Sequence, residues 1–137
     1  MNLFSILDIS GAGMDVQQAR LQAAALNLAN ANTTSKPGTP TYQPLTVVVH
    51  SQQGKGPYAL PLPVVAGTEA MNATPHLVYD PGHPDADARG FVSLPGVNPI
   101  TSMLDLITIS RSYEANLRAF DMTRSLLQRT IDIGRGR

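Results

Sequence analysis

Along the last third of the chain, apolar or small side chains recur at Met103, Leu106, Ser110, Tyr113, Leu117, Phe120, Leu127 and Ile131, with Arg124 as the one charged member of the series. Steps alternating between three and four are the a/d seam of a heptad, narrower than the stripe of an ordinary globular helix. The spacing predicts an uninterrupted helix from Met103 to Ile133. Asn98 can cap it, Pro99 suits its first turn, and Gly134 supplies a stop. About 35 residues rising ~1.5 Å each make a rod of roughly 50 Å, whereas a compact domain of this size is roughly 37 Å across. Such a helix is either kinked or carries a seam meant for another helix. The second reading is preferred.

A partner lies at the other end. Residues 3–31 predict a second helix in which Leu7, Met14, Leu21 and Leu28 recur every seven positions, with Gly11, Gln18 and Ala25 between them. A seam alternating large and small admits a close neighbour. Alanines 23, 24, 25, 29 and 31 favour its later turns, while Gly11 and Gly13 each weaken its start by roughly 1 kcal/mol. Asn30, Asn32, Thr33 and Thr34 end it by diverting hydrogen bonds from the helical ladder. The two helices could form a closed antiparallel hairpin, or an assembly device whose seams also engage neighbouring subunits. Periodicity does not separate these.

Between the helices the period changes. Leu45–Val49, Leu60–Ala66, His76–Tyr79 and Phe91–Leu94 read as short strands, the second interrupted by Pro61 and Pro63 and so confined to an edge or a bulge. Lys36–Pro44 and Ser51–Pro57 read as exposed loops, the second the more mobile. The expected architecture is mainly α with a small β region: long N- and C-terminal helices forming a coiled-coil-like pair, around a Pro/Gly-rich β-hairpin middle. Its segments are 1–34, 35–97 and 98–137.

Composition sharpens this picture. All 11 prolines fall between Pro37 and Pro99. Ten basic residues balance ten acidic ones, so no bulk field recruits nucleic acid or a membrane surface. The Arg-rich end (Arg111, Arg118, Arg124, Arg129, Arg135, Arg137) is offset by Asp105, Glu114, Asp121 and Asp132. With no cysteine, disulfides and thiolate chemistry are excluded. No run approaches the ~20 apolar residues of a membrane span, and the N-terminus lacks the basic and apolar parts of a cleaved secretory signal. The nearest approach to a reactive cluster is His76, Asp80, His83, Asp85 and Asp87. Its Pro/Gly-rich setting suits a turn, and it lacks the helical i, i+4 ligand pair of a metal site. Neither a phosphate loop nor a nucleophile elbow is present. The chain reads as a non-enzyme that uses no cofactor.

Three stretches carry a resemblance. Phe4–Asn32, ending in Asn-Leu-Ala-Asn, is similar to the N-terminal motif of the flagellar rod and hook axial proteins. Ser110–Asn116 (SRSYEAN) looks like their C-terminal signature. Tyr79–Pro95 (YDPGHPDADARGFVSLP) resembles the linker of that family's proximal-rod type. The chain departs from the family in its longer TSKPGTPTY turn, in Pro95-Gly96-Val97 for the usual Pro-Asn-Val, and in Ser102 for a frequent acidic residue.

The resemblance implies a structural subunit of the basal-body rod in the periplasm, exported by the flagellar type III apparatus without a cleaved signal. Its implied partners are copies of itself, other rod proteins, the export apparatus and an inner-membrane ring or rod adaptor, with no nucleic acid and no membrane insertion. The implied subunit interface comprises Leu7, Met14, Leu21, Asn27, Leu28, Ala29 and Asn30 on the first helix. On the second it comprises Ser110, Arg111, Tyr113, Glu114, Asn116, Leu117, Phe120 and Leu127. Another axial protein, or a cytoplasmic coiled-coil adaptor or export chaperone, are the alternatives. Before assembly the termini, up to Asn30 and from Thr101, are expected to be disordered.

Overall fold

The computed structural model describes residues 3–54 and 60–136. Helix α1 spans Leu3–Ala29 and helix α2 spans Pro99–Gly134, 36 residues long. Strands β1 (Leu45–Gln53) and β2 (Pro61–Ala70) form one two-stranded sheet, and β3 (His76–Tyr79) and β4 (Phe91–Leu94) another. Both helices and the bounds of β3 and β4 match the sequence reading. β1 is longer than expected: Ser51–Gln53 continue the strand instead of opening a loop. The remainder of that loop, Lys55–Pro57, lies outside the described residues, as do Met1 and Asn2. In a two-stranded sheet neither strand is interior, which accommodates Pro61 and Pro63 within β2.

The helix ends follow from their side chains. Asn98 Oδ1 accepts the Ile100 N–H at 2.9 Å and the Thr101 N–H at 3.3 Å, satisfying two orphan donors of the first turn of α2. Gly134 is not the stop: it is the last helical residue, and the left-handed backbone comes at Gly136, with φ of 71°. Asn30 closes α1, its Nδ2 donating to the Leu26 carbonyl at 2.8 Å.

Two compact units share the chain. One contains residues 1–21, 47–67 and 108–137; the other contains 22–46 and 68–107. The division therefore passes through both helices. The second unit holds most of the tightly packed side chains: Ala23, Ala24, Ala31, Val92, Ser93, Pro95, Val97 and Ser102 are buried there. β4 is its centre. On one side β4 pairs antiparallel with β3, Leu77 opposite Ser93 and Tyr79 opposite Phe91, and those two rings meet edge to face at 5.3 Å. On the other side Ser93 exchanges both backbone hydrogen bonds with Ser35, each at 2.9 Å. The hydroxyls of Ser35, Thr41 and Ser93 form a chain at 3.0 and 3.2 Å, so the buried Ser93 is satisfied.

The loop joining β3 to β4 is built by its carboxylates. Asp87 Oδ1 accepts the Arg89 N–H at 2.8 Å and the Phe91 N–H at 3.0 Å, and its other oxygen lies 3.3 Å from the Arg89 guanidinium. Gly90, at φ of 81°, allows the return; a Cβ there would meet the Tyr79 ring at 2.9 Å. The Phe91 N–H, seconded by Arg89, holds the Asp87 carboxyl below its ordinary value of 3.8. A lowered folded-state value stabilises the fold above the unfolded value, and that stabilisation is lost as pH falls through the folded one. The Phe91 and Arg89 amides should therefore lose exchange protection only below pH 3.8. In Asp87→Asn this acid dependence should vanish, because the amide oxygen still accepts but does not titrate in that range.

A candidate assembly surface on the helices

Helix α2 is too sparsely covered to be an ordinary core helix. In the unit that holds residues 108–134, Thr123 is 7% exposed, and Ile109, Ser112, Asn116, Phe120 and Leu127 are partly buried. At 3.6 residues per turn this line lies roughly 70° round the helix from the centre of the heptad seam. Phe120 and Leu127 belong to both. Ser110, Tyr113, Leu117 and Ile131 of the seam are exposed, Leu117 at 40%. A second apolar group, Met122, Leu126 and Ile133, points to the opposite side of the helix and is 68, 50 and 76% exposed. In the other unit, Met103, Leu104 and Ile107 of the first turns are exposed as well.

The buried line runs through small and polar residues because of what faces it. A Cβ built on Gly13 would come within 2.9 Å of Asn116 Nδ2, so the glycine of α1 is the space into which the Asn116 amide fits. Thr123 turns its hydroxyl back to the Ala119 carbonyl at 2.8 Å and presents only its methyl. Next to this crossing, Gln17, Gln18, Leu21, Ile109 and Tyr113 line an open groove of about 180 Å³. Glu114 pairs with Arg118 one turn on, at 3.8 Å, rather than with Arg111. Both are well exposed, so the pair is worth a few tenths of a kcal/mol. Among the described residues Arg111 has no ion-pair partner within 4.0 Å.

On α1, Leu7, Met14 and Leu28 are partly buried, and Leu21 and Ala29 are exposed. Asn27 has a role inside the subunit. Its Nδ2 donates to the Leu45 carbonyl at 2.9 Å, its Oδ1 accepts the Leu45 N–H at 2.7 Å, and Tyr42 donates its hydroxyl to the same oxygen at 2.8 Å. One side-chain amide thus pairs with the first residue of β1 as a neighbouring strand would. Burial raises the Tyr42 phenol above its ordinary value, keeping it a donor. Sequence reading missed this clamp; its signal was an Asn inside a helix that propensity does not favour there. Asn27→Ala strands both backbone groups of Leu45 and should cost about 1–3 kcal/mol. Tyr42→Phe, which leaves them paired, should cost about 0.5–1.5 kcal/mol, both read from denaturant midpoints.

Among the described residues no three His, Asp or Glu side chains are grouped to hold a metal ion. No described helix is long and apolar enough to cross a membrane.

Residues 88–133 match the family model described as the flagellar basal body rod FlgEFG protein C-terminal region. The chain is 39% identical over 134 residues to the flagellar basal-body rod protein FlgC of Aquifex aeolicus, covering 96% of this chain and 97% of that one. It is 35% identical to FlgC of Salmonella typhimurium, covering 98 and 99%. It is 33% identical to FlgC of Bacillus subtilis, covering 98 and 100%. Likeness of that extent, running through both helices and the strands between them, places this chain in the family of flagellar basal-body rod proteins FlgC.

Proposed function

We propose that this chain is a structural subunit of the proximal rod of the flagellar basal body. Its terminal helices polymerise into a helical tube that transmits torque and surrounds the export channel. The observation that carries the reading is the doubly apolar α2. Tyr113 and Leu117 lie on one side and Met122, Leu126 and Ile133 on the other, all exposed in the single subunit. A helix sticky on two opposite sides is served by neighbours on both. Contacts between unlike patches, repeated from subunit to subunit, generate an open helix when the rotation does not close. The coiled-coil-like pairing of the Leu7/Met14/Leu21/Leu28 seam with Tyr113/Leu117/Phe120/Leu127 belongs to this assembled state, within or between subunits.

The partners are further copies and other rod proteins. Delivery to the periplasm is by the flagellar type III apparatus without a cleaved signal, and an inner-membrane ring or rod adaptor is the base to which the rod joins. The work is mechanical and needs no catalytic centre, a reading supported by the rod that the relatives' names print. Fractionation of cells carrying a tagged chromosomal copy tests the reading. The protein should co-purify with isolated basal bodies, and its deletion should leave basal bodies without a rod and cells that do not swim. A protein recovered only with the cytoplasm would instead be an adaptor or export chaperone.

A further inference from the structure

Four charges on the two helices are placed alike. Asp8 and Asp15 stand seven residues apart on α1, and Arg111 and Arg118 stand seven apart on α2. The helices meet at Gly13 and Asn116. Gly13 comes five residues after Asp8 and two before Asp15; Asn116 comes five after Arg111 and two before Arg118. At 3.6 residues per turn, both acids lie about 140–160° round α1 from Gly13, and both arginines about 140–160° round α2 from Asn116. The two rows therefore point away from each other on the outer sides of the pair and cannot meet within one subunit. All four residues belong to the same unit and are exposed. Among the described residues Asp8, Asp15 and Arg111 have no ion-pair partner within 4.0 Å, and Arg118 has only the 3.8 Å contact with Glu114.

Resting on the rod reading above, we propose that these rows are the two halves of one contact between copies of this chain. The outer side of α1 in one copy packs on the outer side of α2 in the next, with Asp8 beside Arg118 and Asp15 beside Arg111. Direction fixes the pairing. Within the subunit the helices run antiparallel: Gly13 meets Asn116, while Gln17, Gln18 and Leu21, later on α1, share a groove with Ile109 and Tyr113, earlier on α2. Helices that run along a tube keep their direction from copy to copy. An antiparallel approach matches both pairs at once, since seven residues span roughly 10.5 Å on either helix. The neighbour then stands roughly 4.5 Å, about three residues, along the axis from the level set by Gly13 and Asn116.

The two sides also fit in size. Gly11 and Ala12 lie between the acids and Ala115 between the arginines, so the axes can come close together. Met122 follows Arg118 by one turn and is 68% exposed, so enclosing it adds apolar burial beside the charges. With an acidic row on one side and a basic row on the other, neither face pairs with itself, and each copy leaves one row open for the next. Such pairs contribute little while exposed to water, but like charges brought together across a contact are strongly disfavoured.

Charge reversal in the chromosomal copy is the test, read as incorporation into basal bodies and as swimming. Asp15→Arg and Arg111→Asp should each reduce incorporation at least about tenfold. The two together should restore it, which also shows that neither change prevents folding. Asp8→Arg with Arg111→Asp, the combination a parallel register would match, should stay defective. The chain has no cysteine, so cross-linking gives a clean second measurement. In isolated basal bodies, Asp15→Cys/Arg111→Cys treated with a short-armed bismaleimide should yield linked dimers and longer ladders of this chain, and Asp8→Cys/Arg111→Cys should not. Single reversals that incorporate normally, or rescue by the mismatched combination, overturn the pairing. A matched cysteine pair that yields only monomer overturns it as well and leaves these faces to other rod proteins. Wild-type protein missing from basal bodies would refute the rod reading itself, whereas wild type present beside indifferent reversals refutes the pairing alone.

Discussion

Amide exchange on the dilute free subunit should split α2 in the middle. Amides from Met103 to Ile107 should be protected at least about a thousandfold, while those from Ser110 to Leu127 should exchange near the random-coil rate. The break is set by where burial lies. The unit of residues 22–46 and 68–107 encloses Val92, Pro95, Val97 and the alanines of α1, and is laced by the Asn27 clamp and the Ser35–Ser93 bridge. In the other unit the buried set among the described residues is Ser10, Val16 and Thr123. Helices without packing are marginal in water, and Gly11 and Gly13 lower the first turns of α1 further. The line between ordered and disordered chain is thus expected at Leu21/Gln22 and Ile107/Thr108, inside both helices. The seam pattern alone had set it at Asn30 and Thr101. Ordering the remainder at a growing tip would consume part of the association energy and so would keep free subunits from polymerising in solution. Uniform protection from Met103 to Leu127 would show a self-sufficient hairpin and sink this expectation.

Leu117→Asp and Met122→Asp should each leave the subunit folded and exported yet abolish swimming. The two side chains lie on different faces of α2 and are 40 and 68% exposed, so in the free subunit the new carboxylate stays in water. In the tube each would be enclosed, and an unpaired buried charge costs several kcal/mol. Every 1.4 kcal/mol is a factor of about ten in affinity, so the loss reaches a hundredfold or more per contact and repeats along the rod. Secretion into the medium without basal-body incorporation is the expected signature. A Leu117→Asp strain that swims normally would remove that face from the interface; a Met122→Asp strain that does so would leave a tube packed through one face only.

How far the sequence foretold this structure depended on the kind of interaction. The prolines marked the β region, and the β-branched and aromatic runs His76–Tyr79 and Phe91–Leu94 were found to the residue. Alternating local preference is strong over such spans. The helices were legible through Asn98, Pro99 and the absence of proline elsewhere in them. Their facing was not. A search for apolar recurrence ranks Tyr113 and Leu117 above Asn116 and Thr123, yet the latter pair lies on the buried line. The space for Asn116 comes from Gly13, about a hundred residues away, and the polarity of Thr123 is cancelled by its own helix. The carboxylates of the β3–β4 loop looked like solvated turn residues. In fact Asp85 accepts the Thr34 hydroxyl and Asp87 the Phe91 N–H, partners that only the closed loop brings within reach.

The prolines of β2 have a consequence for the growing structure. Pro61 and Pro63 offer no N–H, and β3 is four residues long, so these two strands carry little that an added strand could zip onto. A subunit that reached a confined tip partly unfolded would run the danger of cross-strand clumping before it found its place. If the outer stretches of the helices order only on joining the rod, as expected above, the adhesive surface they carry would not exist before then, while β2 and β3 offer blunted edges once formed. Stickiness would then be postponed until a correctly placed neighbour is there to receive it.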